Sequence, residues 1–226
     1  MEVVEDVHWI EGVTGNCFIV ADNELTLIDT GLPGSAKKIV KFIEDDLHRD
    51  LSGLKTIVLT HSHYDHMGGA SELKTRTGAR VAAHQEDAGF IEGAKRPAPP
   101  KGGVRILFAL LSPLVKPKRV KVDRLLKDGD MVGGMKVVHV PGHTLGSIAL
   151  LDPVRGVLFS GDALTFRNGK VTPPPLRFTV DSELARQSIA KIGSLEFDTM
   201  LGGHGDPLMP NAASKVREFD RTGYQQ

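Results

Sequence analysis

Four side chains able to bind a metal ion stand together directly after one apolar run. Thr56-Ile-Val-Leu-Thr60 is followed by His61, His63, Asp65 and His66, and Gly68-Gly69 then releases the chain. The run Ile57-Val58-Leu59 is apolar and β-branched, and reads as a buried strand. If the extended conformation persists past it, His61, His63 and Asp65 point to one side, because side chains alternate with period two. Two imidazoles at i and i+2 can hold one metal ion. Asp65 and His66, just beyond, can serve a second. Neutral imidazole and carboxylate are ligands that a borderline cation such as zinc accepts.

One cluster does not complete a site, and further ligand types follow at the ends of later apolar runs. His143 lies on a Pro-Gly turn after Lys136 to Val140. Asp162 follows Val157-Leu-Phe-Ser-Gly161, and His204 follows Thr199-Met-Leu-Gly-Gly203. Four times a strand-like run ends in a metal-ligand residue, usually beside glycine. Glycine lets backbones approach closely there.

Taken together, Thr60-His-Ser-His-Tyr-Asp-His-Met-Gly-Gly69, Pro141-Gly-His-Thr144, Ser160-Gly-Asp162 and Gly203-His-Gly205 resemble the signature blocks of the metallo-β-lactamase superfamily, in order. The resemblance spans Asn16 to His204. It implies an α/β fold in the form of a four-layer αββα sandwich. It also implies His61, His63 and His143 as ligands of a first metal. Asp65, His66 and His204 are implied as ligands of a second, and Asp162 as the carboxylate bridging both. Asp29, in Leu27-Ile-Asp-Thr-Gly31, is implied as a structural residue near the metals and not a ligand. The full set resembles the two-metal hydrolase branch, and not the oxygen-reducing di-iron branch with a Glu inside the first block.

The implied chemistry is hydrolysis of an activated acyl bond: thioester, ester, lactone or amide. Two divalent ions lower the pKa of a shared water from ~15.7 toward ~7, giving a nucleophile at neutral pH. Asp65 is the expected catalytic residue, holding the proton and orienting the attacking group. The expected cofactors are two divalent ions per chain, zinc first, with iron or manganese as alternatives. Phosphodiester, phosphotriester or β-lactam hydrolysis on the same site stands as an alternative. A mono-iron persulfide dioxygenase is another. No Gly-x-Ser-x-Gly and no phosphate-binding loop occurs, which removes the serine-nucleophile and nucleotide-binding readings. The blocks also resemble hydroxyacylglutathione hydrolases, yet 22 residues follow His204, too few for the helical domain that holds glutathione there. That shortness resembles small lactonases and esterases.

Strands are expected over Val3 to Val13 and Gly15 to Asp29, the second folded into a hairpin at Asp22-Asn23. Ser35 is expected to cap a helix reaching about Leu47. Helices are expected over Ala70 to Thr77 and Gln85 to Glu92, with a strand at Val81 to Ala83 between them. His84, a lone histidine, reads as structural. Strands follow at Met135 to Val140, Ser147 to Asp152, Gly156 to Ser160 and Phe197 to Leu201. Asp181 or Ser182 is expected to cap a helix to Ser194, and Asn211 to Phe219 closes the chain as a helix. Strands and helices alternating in each half suit two sheets packed inside two helical layers.

At 226 residues the chain suits one domain, 1–226, with a variable insertion at about 93–127. From Lys95 to Lys127 ten cations face one acid, Asp123, although Lys plus Arg balances Asp plus Glu at 28 each overall. Candidate substrate-binding segments are Ile106 to Leu111 in this insertion and Pro173 to Arg177 after Asp162. A membrane- or partner-binding role for the basic insertion is the non-enzyme alternative. Net neutrality argues against nucleic acid as a partner. No apolar run approaches the ~20 residues that span a bilayer, so no stable membrane insertion is expected. The expected partner is a small-molecule substrate, with homodimerisation left open. Cys17 is the only cysteine and the start lacks a basic, apolar leader, which reads as cytoplasmic.

Overall fold

The structure, a computed structural model, describes residues 1–96, 101–103 and 116–222. The Ile106 to Leu111 segment lies outside the described residues. The first half forms β1 (Glu2–Val4), β2 (Val7–Ile10), β3 (Cys17–Ala21), β4 (Leu25–Ile28), β5 (Leu54–Leu59), β6 (Arg80–His84) and β7 (Arg124–Leu126). These make one seven-stranded sheet in chain order. The β1–β4 part pairs antiparallel, and β4 to β7 pair parallel. The second half forms β8 (Met131–Val132), β9 (Met135–His139), β10 (Ile148–Asp152), β11 (Val157–Gly161), β12 (Thr165–Arg167), β13 (Lys170–Thr172) and β14 (Thr199–Gly202). Five of them make a second sheet in the order β14-β11-β10-β9-β8, while β12 and β13 pair as a separate hairpin.

Alternation along the strands builds three apolar layers. In β3, Cys17 and Ile19 face one core, and Phe18 and Val20 face another. In β5, Ile57 and Leu59 go outward, and Val58 goes inward. The inward set meets Val137, Ile148, Leu150, Val157, Phe159 and Leu201 of the second sheet. Phe18 and Phe159 touch across this gap with ring centroids 5.6 Å apart, a geometry worth about 0.5–1.5 kcal/mol beyond burial. The outer face of the first sheet is covered by helices at Ala36–Lys41, Ala70–Thr77 and Gln85–Ile91. The outer face of the second is covered by helices at Ser182–Gly193 and Ala212–Thr222. Helix, sheet, sheet, helix is the expected four-layer αββα sandwich.

Local signals explain the helix ends. Asp181 caps the Ser182–Gly193 helix by accepting from the Glu183 and Leu184 amides. Gly78, at φ 73°, ends the Ala70–Thr77 helix in the left-handed conformation. Ser35 sits at the start of its helix but makes no side-chain cap, and the helix continues as a π-helical turn over Phe42–Asp46. The strand expected over Val3 to Val13 is split, because the chain reverses at Glu5-Asp6, where Asp6 has φ 58°. The stretch between Asp162 and the Pro173 to Arg177 segment contains the β12–β13 hairpin, turning on Asn168 and Gly169 at φ 51° and 75°. No helix among the described residues is long and apolar enough to cross a membrane.

Candidate metal centre

Strand ends on one edge of the sandwich deliver the candidate ligands. His61 and His63 follow β5, His143 follows β9, Asp162 follows β11 and His204 follows β14. The Ile148 amide donates to the Thr60 carbonyl at 2.9 Å, and the Asn16 amide donates to the Gly203 carbonyl at 2.7 Å, so the two sheets are tied together at this edge.

All seven candidate residues converge. One atom each from His61, His63, His143 and Asp162 lies within 4.8 Å of the others, and Asp65, His66 and His204 form a second set on the same measure. Asp162 stands between the sets. Its Oδ2 is 3.3 Å from His143 Nε2, 4.0 Å from His61 Nε2 and 3.5 Å from His204 Nε2, and its Oδ1 is 3.5 Å from His66 Nε2.

One expectation about local conformation is corrected. Asp65 does not continue the strand beside His61 and His63. His63 is the last extended residue, and Tyr64–Met67 is a helical turn in which the His66 and Met67 amides donate to the His63 carbonyl. Successive residues of a helix project about 100° apart, so Asp65 and His66 leave the first set and enter the second.

Side chains behind the cage orient it. Asp29 Oδ2 accepts from His66 Nδ1 at 2.8 Å and from Thr60 Oγ1 at 2.7 Å. Thr60 Oγ1 in turn lies 3.0 Å from His61 Nδ1. Occupying both Nδ1 atoms turns the Nε2 atoms of His61 and His66 into the cage. Asn16 donates through its side-chain amide to the Gly202 and Gly205 carbonyls, which bracket His204. Gly203 must lack a side chain, since a Cβ there would lie 2.3 Å from Asp162 Oδ1.

The polar atoms left over test whether a metal fits. His61 Nε2, His66 Nε2, His143 Nδ1 and Asp162 Oδ1 are buried with no hydrogen-bond partner among the described residues. Each such atom costs about 1–3 kcal/mol if it stays unpaired. His63 Nδ1 and His143 Nε2 approach to 2.9 Å, nitrogen against nitrogen. Cations among these groups would satisfy the unpaired atoms that face the cage, and histidine with carboxylate is a donor set that divalent ions accept.

Charge is distributed accordingly. Burial holds His61 well below the usual imidazole range, reinforced by neighbouring His66 and His63. Burial and His143 bring His63 down to about 3. Burial also disfavours charge on His66, but the Asp162, Asp29 and Asp65 carboxylates outweigh it and lift that group to about 10. Asp65 is ionised: burial raises its pKa, yet His66 and His204 bring it down to about 2.

Residues 10–204 match the metallo-beta-lactamase superfamily. This chain belongs to that superfamily. A Bacillus subtilis (strain 168) superfamily relative, the probable metallo-hydrolase YflN, is 32% identical over 92% of this chain and 86% of its own length. The hydroxyacylglutathione hydrolase GloC of Haemophilus influenzae is 31% identical over 68% of each chain. Among solved structures, TTHA1623 in a di-iron-bound form aligns with a TM-score of 0.70 at 26% identity, over 96% of this chain and 97% of that one.

Within this superfamily member, the exposed side of the cage is formed by Asp65 and His204, each with 31% of its side chain exposed. Leu176 and Arg177, of the candidate segment Pro173 to Arg177, are exposed. The chain just after this segment attaches to the cage, since the Val180 amide donates to the His143 carbonyl at 3.2 Å. Lys101, from the insertion, donates its amide to the Arg177 carbonyl at 2.9 Å. His84 is structural as expected: buried, it caps the Gln85–Ile91 helix and stacks on His139 at 3.9 Å. Sequence reasoning passed over Asp87, Thr60 and the side chain of Asn16. Only Asp87, an acid in a first helical turn beside buried Ala88 and Ile91, carried a signal, and that signal looks like ordinary helix polarity.

Proposed function

We propose that this chain hydrolyses an activated acyl bond of a small molecule, a thioester, ester or lactone, using two divalent ions held by the seven converged side chains. The observation that carries the reading is the position of Asp162, whose carboxylate reaches donors of both ligand sets. In this reading His61, His63 and His143 hold one ion, Asp65, His66 and His204 hold the other, and Asp162 serves both. Bound divalent ions supply Lewis acidity and lower the pKa of water toward ~7.

The chain's own groups do the rest. Asp65 stays ionised at neutral pH and sits on the exposed side, so its carboxylate can accept a hydrogen bond from the attacking water and so hold its proton and orient it. His204, 3.3 Å from Asp65 Oδ2, orients that carboxylate toward the cage. The closed side, with His61, His66 and His143 buried, excludes bulk water and strengthens each charge interaction. Substrate approaches past Asp65 and His204, and residues 173–177 together with Lys101 flank that approach. The hydroxyacylglutathione hydrolase activity in the name of GloC supports the acyl class. Zinc is the proposed occupant. Iron is the alternative, supported by the di-iron form of TTHA1623. Two ligand sets favour two ions over the single iron of a persulfide dioxygenase.

The test is a hydrolysis screen across thioesters, lactones, β-lactams and phosphotriesters on protein of known metal content. Turnover of a thioester or lactone, abolished in His63→Ala, is expected. Fully loaded protein that cleaves only phosphotriesters or β-lactams, or nothing, contradicts the acyl assignment.

A further inference from the structure

Asp87 lies outside the seven candidate ligands, on the helix Gln85–Ile91 that follows β6, yet its side chain reaches the loops of three of them. It is 1% exposed. Its Oδ2 accepts from the Ser62 amide at 2.8 Å and from Thr144 Oγ1 at 2.8 Å, and its Oδ1 accepts from the Gly146 amide at 2.9 Å. Ser62 is the residue between His61 and His63. Thr144 follows His143 directly, and Gly146 closes the same turn. One carboxylate therefore joins the loop carrying two candidate ligands of the first set to the loop carrying the third, although these loops belong to different sheets.

The neighbourhood is built around that carboxylate. A Cβ at Gly146 would lie 2.6 Å from Asp87 Cγ, so only glycine allows the approach. Ser147 Oγ lies 2.9 Å from Thr144 Oγ1 and accepts from the Thr144 amide at 3.0 Å, which extends the network along the His143 turn. A buried carboxylate is expensive to keep unless its lone pairs are satisfied, and here three donors satisfy it, Ser62 and Thr144 next to candidate ligands and Gly146 in the turn after His143. Among the described residues Asp87 makes no hydrogen bond next to His66 or His204; Asp29 supports His66, and Asn16 holds the Gly202 and Gly205 carbonyls around His204.

We propose that Asp87 is a positioning residue for the first ligand set alone, fixing the spacing of His61 and His63 against His143. The proposal rests on the reading that this set holds a metal ion. Loss of such a support lowers metal affinity by about 10–100-fold, and the loss should fall on one of the two ions.

Zinc titration of chelator-stripped wild type, Asp87→Asn, Thr144→Val and His63→Ala, against a competing indicator dye, tests this. Wild type should give two dissociation constants. His63→Ala should abolish one step, which identifies the first set. Asp87→Asn should weaken that same step by about 10–100-fold and leave the other within about threefold, with the metal-free melting temperature recorded on each protein. Thr144→Val removes a single donor and should weaken the same step several-fold, and it carries the test if Asp87→Asn does not fold. Two unchanged constants in Asp87→Asn or Thr144→Val, or equal weakening of both steps, overturns the positioning role while leaving the hydrolase reading standing. Wild type that binds no zinc at the His63-dependent step overturns both.

Discussion

Asp29 accepts a hydrogen bond from His66 Nδ1 at 2.8 Å, and so fixes which nitrogen of His66 faces the cage. The same carboxylate holds Thr60 by its amide, at 2.8 Å to Oδ1, and by its hydroxyl. Asp29→Asn replaces one acceptor with a donor in a site with no water access, since Asp29 is 2% exposed. The expected outcome is a 10–100-fold loss of metal affinity and about 1–3 kcal/mol of destabilisation. Zinc titration and thermal melting check it, and wild-type values for both would remove Asp29 from the account.

Asp65 predicts the opposite balance. Its side chain is 31% exposed, so Asp65→Asn should fold like the wild type. Its turnover should fall by two or more orders of magnitude, in line with loss of a general base (about 10²–10⁴-fold). Circular dichroism and kcat on the same sample decide between this outcome and an unchanged rate, which would strip Asp65 of its role.

Gly203 offers a steric test. Gly203→Ala drives a methyl against Asp162 Oδ1 and His66 Cε1, which would lie 2.3 and 2.6 Å away. Metal content and activity should drop together. Gly103→Ala, where a Cβ meets no described residue within 4 Å, is the control and should change neither. Equal behaviour of the two variants would mean that the cage is not as tight as described.

Phe159 tests the packing between sheets. It is 1% exposed and contacts Phe18 across the central layer. Phe159→Ala should cost about 3–5 kcal/mol, or roughly 6–20 °C in melting temperature for a chain of this size. A shift under about 2 °C would show that the two sheets do not depend on this contact.

Much of the cage was legible in the sequence because His61, His143, Asp162 and His204 each follow an apolar run, three of them beside glycine, whereas Asp65 and His66 stand on the helical turn just beyond. The layers were legible through the family resemblance; a strand such as Leu25 to Ile28, buried at every position although it contains Thr26, does not by itself say which sheet covers it. The partners that aim the ligands were less visible. Asp87 has the sequence context of any acid near a helix start, and its three donors come from residues 25 to 59 positions away. Thr60 looks like the end of a strand, and nothing local shows that its hydroxyl links His61 to Asp29. The hairpin at Thr165–Thr172 did carry a signal, since Asn168-Gly169 is the dipeptide that fills a two-residue turn with positive φ.

The most direct measurement is metal stoichiometry by elemental analysis of purified wild type beside His63→Ala and His204→Ala. The account predicts about two divalent ions per wild-type chain, with each variant losing at least one. A wild-type protein that takes up no more than one ion under saturating metal, or variants that retain two, would contradict it.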